Sequence, residues 1–242
     1  MNLILDLGNT QAKVAVFKTT EMLAMYHYPL FCLNNLKQVL QKHRTVQAAI
    51  LSSVKHHPEE ITNYLKTKYP LIELDYTIKL PIKNLYKTPK TLGNDRLAAI
   101  TGAANLFPKK NILVIDAGSC IKYDFINKNK EYFGGSISPG IKMRFKALYT
   151  FTDKLPLVEA KEYHRLIGNS TQESILAGVQ NGVIAEVKWT ISQYQKQYPD
   201  IKIILTGGDS IFFERQLKSS IFAVPNLVLQ GLNLILNYNA TK

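Results

Sequence analysis

The chain has 242 residues, 46% of them hydrophobic, and a formal net charge of +12. That length supplies a sizeable core in one large domain or two small ones. The basic balance raises the question of nucleic acid, but the lysines are scattered singly or in pairs, as at Lys109-Lys110. With no block of like charge, paired zinc ligands, aromatic strings or basic arm, no specific nucleic-acid partner is expected. No apolar run approaches the roughly 18 residues of a membrane span, and Leu3-Ile4-Leu5 reaches Asp6 too soon for a leader. Cys32 and Cys120 stand far apart and read as buried thiols of a reducing compartment. A soluble, cytoplasmic protein with no membrane partner is expected.

In chain order, alternation predicts a strand over 2–7, a turn at Gly8-Asn9-Thr10, and further strands over 13–18 and 22–28. A helix over 34–43, a buried strand over 48–53 and a helix over 58–68 opened by Pro58 follow. Gly93-Asn94-Asp95-Arg96 leads into a helix over 97–106, with Leu97, Ile100 and Ala104 on one apolar face. Pro108-Lys109-Lys110-Asn111 is the best linker, which divides the chain into domains 1–108 and 109–242.

The pattern then restarts. Strands are predicted over 111–116, 121–126 and 131–138, and a helix from Pro139 to about Tyr149. Ser170-Thr171-Gln172-Glu173 has capping-box spacing ahead of a long helix to about Gln197. On that helix Val187, Trp189, Tyr194 and, beyond it, Tyr198 suit a packed face. A strand over 201–206, a turn at Gly207-Gly208-Asp209 and a helix over 227–238 complete the chain.

Leu3-Ile4-Leu5-Asp6-Leu7-Gly8-Asn9 matches Leu113-Val114-Ile115-Asp116-Ala117-Gly118-Ser119: an apolar strand ends in Asp, and Gly follows two residues on. Two such halves predict a duplicated α/β unit whose aspartates face each other across a cleft. The alternative is that each is a common strand-to-hairpin turn. In the hairpin reading, backbone N–H groups and a side-chain-free glycine receive a phosphate. Asn9 and Thr10 add donors, Lys13 adds a cation, and Mg²⁺ on the phosphates gives Asp6 a counter-charge. The loop that ends in Gly-Lys-Ser/Thr is absent.

Paired phosphate hairpins resemble the superfamily of acetate and sugar kinases, heat-shock chaperone ATPases and actin. Within it the chain resembles the type III pantothenate kinases. The strings that carry this are Asp6–Thr10, Tyr86 with Pro89 and Gly93–Arg96, Asp116–Ser119, Gly134–Gly140, Gly168–Thr171 and Leu205–Asp209. The resemblance implies duplicated ribonuclease H-like, actin-like ATPase domains with mixed sheets flanked by helices. It implies transfer of phosphate from ATP to pantothenate by a homodimer.

By the same resemblance, Asp6, Leu7, Gly8, Asn9, Thr10, Gln11, Ala12 and Lys13 would hold ATP, with Asp6 near its Mg²⁺ and Ser119 touching the nucleotide. Tyr86, Gly93, Asn94, Asp95, Arg96 and Thr171 would bind pantothenate. Asp95 would accept the hydroxyl proton, and Arg96 would offset charge on the transferring phosphoryl. Asp116 would bind a monovalent cation, potassium or ammonium.

Several of these residues carry a plainer reading as well. Asp95 suits a helix N-cap, beside which Arg96 would be an exposed, unfavourably placed cation. Tyr86 is one of 13 tyrosines. Thr171 could belong only to a helix cap, and Gly134-Gly135 and Pro139-Gly140 only to turns. The family's second hairpin usually reads Asp-x-Gly-Thr-Ala with a further threonine, whereas this chain has Ser119, Cys120 and Lys122. His56-His57 and the single His27, His43 and His164 have no metal-site spacing. Two other functions stay open: a kinase for another small hydroxylated acid or sugar, and a silent relative that acts as a regulatory binding protein.

Overall fold

The computed structural model describes residues 1–54, 58–163, 165–217 and 221–240. His56-His57 and His164 lie outside the described residues. The chain forms two compact units, Met1–Lys109 with Asn129–Gly134 and Asn226–Lys242, and Lys110–Lys128 with Gly135–Pro225. The closing helix, expected in the second half, therefore belongs to the first unit.

In the first unit β1 (Asn2–Leu7), β2 (Ala12–Lys18) and β3 (Glu21–Tyr28) form the expected meander. After α1 (Leu33–Lys42), the chain returns as β4 (Ala48–Ser53), passes through α2 (Glu59–Lys68) and adds the short β5 (Leu71–Glu73). The sheet order is β3-β2-β1-β4-β5, antiparallel on the meander side and parallel beyond β1. Alternation along β1 splits the core between its faces. Leu3, Leu5 and Leu7 pack with Leu36, Val39, Ile61 and Leu65 of α1 and α2. Ile4 packs on the other face with Ala98, Leu232 and Ile235. Those residues come from α3 (Asn94–Leu106) and α7 (Leu227–Ala240). By the same two-residue period, Asp6 lies on the α3–α7 face.

The expected single apolar stripe of α3 is instead burial nearly all round, from Arg96 to Ala104. Gly102 and Gly231 let α3 and α7 come close: a Cβ on Gly231 would stand 1.8 Å from the Ala98 carbonyl oxygen.

The second unit repeats the plan. β7 (Ile112–Ala117), β8 (Cys120–Ile126), β9 (Glu131–Pro139), β10 (Lys202–Thr206) and β11 (Ile221–Ala223) run in the order β11-β10-β7-β8-β9. This is the order of the first sheet. Its core joins Leu113, Ile115, Tyr123 and Phe125 to Phe145 of α4 (Ile141–Thr150) and to Leu176, Val183 and Val187 of α5 (Thr171–Gln197). A short α6 (Ser210–Gln216) follows β10. The two-residue β6 (Lys83–Asn84) pairs with Glu131 and Tyr132 at the start of β9.

Some local expectations are corrected. Pro139 ends β9, and Gly140 caps α4. Cys32 is exposed. Trp189 is 65% exposed, while Tyr194 and Tyr198 do pack on Phe125. No helix among the described residues is long and apolar enough to cross a membrane.

Candidate active site

The first hairpin closes with the Gly8 amide donating to the Gln11 carbonyl at 3.1 Å, and Asn9 and Thr10 are exposed at its tip. Asp6 faces Lys13 in the β1–β2 register and Ser52 in the β1–β4 register. Ser52 is fully buried, and its hydroxyl has no hydrogen-bond partner. Leu7 stands beside Ser53 at the carboxyl ends of the parallel pair β1–β4, the end where open α/β sheets bind ligands. A cleft of about 520 Å³ opens there, lined by Ser53, Asp75, Tyr76, Lys90, Gly93 and Asn94 among others.

That cleft reaches the start of α3, which begins at Asn94 with Gly93 as N-cap. Asp95 is therefore in the first turn rather than at the cap. One of its carboxylate oxygens, Oδ1, accepts from the Arg96 amide at 2.9 Å. A Cβ on Gly93 would stand 2.6 Å from the same oxygen, so the motif's glycine makes room for Asp95. The Asn94 side-chain amide ties the turn to the Leu74 carbonyl at 2.6 Å.

Arg96 is 5% exposed, so it is not the exposed cation that a bare N-cap reading of Asp95 would leave. Its guanidinium lies 5.5 Å from the centre of the Tyr86 ring, a cation–π contact. Tyr86 stacks in turn on Tyr132 at 6.3 Å. Gly134 has φ +94, and a Cβ there would stand 2.6 Å from the Tyr86 ring. Tyr86, Gly93, Asn94, Asp95 and Arg96 thus assemble in the first unit, with Gly134 serving the tyrosine rather than a turn.

The second hairpin closes with the Gly118 amide on the Cys120 carbonyl at 2.9 Å. A Cβ on Gly118 would meet nothing within 4 Å, so its backbone faces open space. Two predicted glycine strings flank the hairpin. The Gly140 amide donates to the Ser119 carbonyl at 3.1 Å, and the Asp209 amide to the Ala117 carbonyl at 2.9 Å. Gly207, at φ +92, could not carry a Cβ, which would lie 2.2 Å from that same carbonyl oxygen. Lys122 pairs with Asp116 at 2.6 Å.

Asp209 ends both the predicted turn and the Leu205–Asp209 string, with no role of its own expected from the sequence. Burial pushes its carboxyl above the usual range, and Lys142 partly offsets the shift. A second cluster was missed altogether. Glu186 of α5 accepts from Ser138 at 2.5 Å and from the Tyr123 hydroxyl at 2.9 Å, and it pairs with Arg144. Burial alone would raise the Glu186 carboxyl, but the bonds from Ser138, Arg144 and Tyr123 outweigh it and hold the carboxyl low. The four residues come from four elements, so no local spacing links them. Thr171 is exposed as the first residue of α5, behind the Ser170 cap.

A profile of the family described as type III pantothenate kinase matches residues 2–193. A type III pantothenate kinase of Christiangramia forsetii is 46% identical over 100% of both chains. One from Bacteroides fragilis is 44% identical over 99% of this chain and 98% of its own. The fold also matches the activator of 2-hydroxyisocaproyl-CoA dehydratase of Clostridium difficile with bound ADPNP. That match has a TM-score of 0.60 and 14% identity, covering 99% of this chain and 95% of the other. The architecture is thus the actin-like ATPase fold, and the chain belongs to the type III pantothenate kinase family.

Proposed function

We propose that this chain transfers the γ-phosphoryl group of ATP to a hydroxyl of pantothenate, giving 4'-phosphopantothenate, the first step of coenzyme A synthesis. Family membership supports the reaction, and one observation supports the choice of site residues. Tyr86, Arg96 and Asp95 converge at the amino end of α3, beside a cleft of about 520 Å³ that reaches Gly93 and Asn94.

The residues present fit a Mg²⁺–ATP complex. The exposed hairpin tip at Asn9 and Thr10 leaves room for phosphate, and the partly buried Asp6 supplies a hard oxygen donor. The nucleotide supplies the phosphoryl group and its metal. Asp6 through Lys13 of the first hairpin bind it, and Ser119 is the proposed nucleotide contact in the second unit. Asp95 orients the acceptor hydroxyl and takes its proton late, since loose phosphoryl-transfer transition states need little early deprotonation. Arg96, 5.5 Å from the Tyr86 ring centre, meets negative charge on the substrate or on the transferring group. Thr171 adds a substrate contact.

The resemblance also implies a monovalent cation at Asp116, and here the residues do not fit: the Lys122 ammonium already holds Asp116 Oδ2 at 2.6 Å. A homodimer and a cytoplasmic setting are part of this reading, supported by the resemblance.

A coupled ADP-release assay tests the reaction. Turnover should depend on pantothenate and not on a panel of sugars or short hydroxy acids. Release driven by one of those instead would name another small-molecule kinase, and no release with any acceptor would favour a regulatory binding protein.

A further inference from the structure

We infer that Lys122 is a built-in monovalent cation for the Asp116 site, so the chain works without added potassium or ammonium. The inference rests on the proposed kinase reaction for its activity readout, but not for its binding readout.

Three observations converge. Asp116 and Lys122 are direct cross-strand partners in the β7–β8 register, so the backbone itself delivers the ammonium to the carboxylate. The pair closes at 2.6 Å with side-chain exposures of 16% for Lys122 and 14% for Asp116, so solvent screens it little. The other carboxylate oxygen lies close to the Gly207 backbone, where an added Cβ would stand 2.5 Å from Asp116 Oδ1. An added metal ion would have to displace the ammonium or sit beside it, and like charges at such spacing repel strongly in a half-buried site.

An alkylammonium and a potassium ion share charge and similar size, and a tethered one gives up no translational freedom on binding. By the resemblance, a small hydroxyl usually stands where this chain has Lys122, whose longer side chain brings its own charge to Asp116 Oδ2.

The test uses the full-length protein exchanged into choline chloride and compared with potassium chloride at equal ionic strength. The wild-type melting temperature should be the same in both salts, and pantothenate-dependent ADP release should differ by less than about threefold. Lys122→Thr should gain a potassium-specific rise in melting temperature, as a bound ion stabilises only the folded state. In choline that variant should lose on the order of tenfold to a hundredfold in turnover, recovered by potassium.

A potassium-specific rise in the wild-type melting temperature, or a larger wild-type loss in choline, overturns the inference. Should Lys122→Thr not fold, the wild-type comparison alone decides. If no salt supports ADP release, the kinase reading fails, while the melting comparison still decides the role of Lys122.

Discussion

Asp209 is held half-buried beside the second hairpin, and burial raises its pKa with only Lys142 in partial compensation. Its sign follows from linkage. A carboxyl whose folded pKa is raised costs nothing while protonated, and it destabilises progressively as pH climbs from the unfolded value of about 3.9 through the folded one. Asp209→Asn should therefore raise the melting temperature at pH 7, with the gain vanishing below about pH 4. A melting series across pH reads this directly. A lower melting temperature at neutral pH would show that the carboxylate holds structure instead. Arg96 is the converse case. A bare N-cap reading of Asp95 would leave Arg96 exposed, whereas it is buried with its guanidinium over the Tyr86 ring, ten positions earlier and held beside β9 by the β6–β9 pairing.

Between elements, the tightest contact in the first unit is α3 against α7. Gly231 has the Ala98 carbonyl where a Cβ would go, and Gly102 has the Leu227 carbonyl 2.9 Å from its own. Gly231→Ala should separate the helices and cost about 1–3 kcal/mol, as overpacking of a close contact does. A urea midpoint lowered with an unchanged slope would match, and an unshifted midpoint would contradict it. The strands and helices with strong periodicity were legible: β1 to β4, β7 to β10 and the long α5. The strands β5, β6 and β11 run to only two or three residues, too few for alternation to show. The place of α7 was not legible either, because an apolar helix face carries no address. Its partner became visible only with Gly102 and Gly231 in contact.

At the scale of the molecule, the duplication read from two short Asp-x-Gly strings extends to whole sheets. Both run hairpin, centre, then two parallel strands, with the aspartate on the central strand opposite a lysine: Asp6 with Lys13 and Asp116 with Lys122. Several motif strings were legible because they carry a glycine where backbone, a carboxylate oxygen or a ring approaches closely, at Gly93, Gly134, Gly140 and Gly207. The Glu186 cluster was not, since residues from β8, β9, α4 and α5 meet only in the fold.

In the proposed reaction the acceptor hydroxyl meets Asp95. Steady-state kinetics of Asp95→Asn with pantothenate and Mg²⁺–ATP test it most directly. With Asp95 as proton acceptor, kcat should fall by about a hundredfold or more while KM for ATP stays within about threefold. Undiminished kcat in a folded Asp95→Asn protein would contradict it.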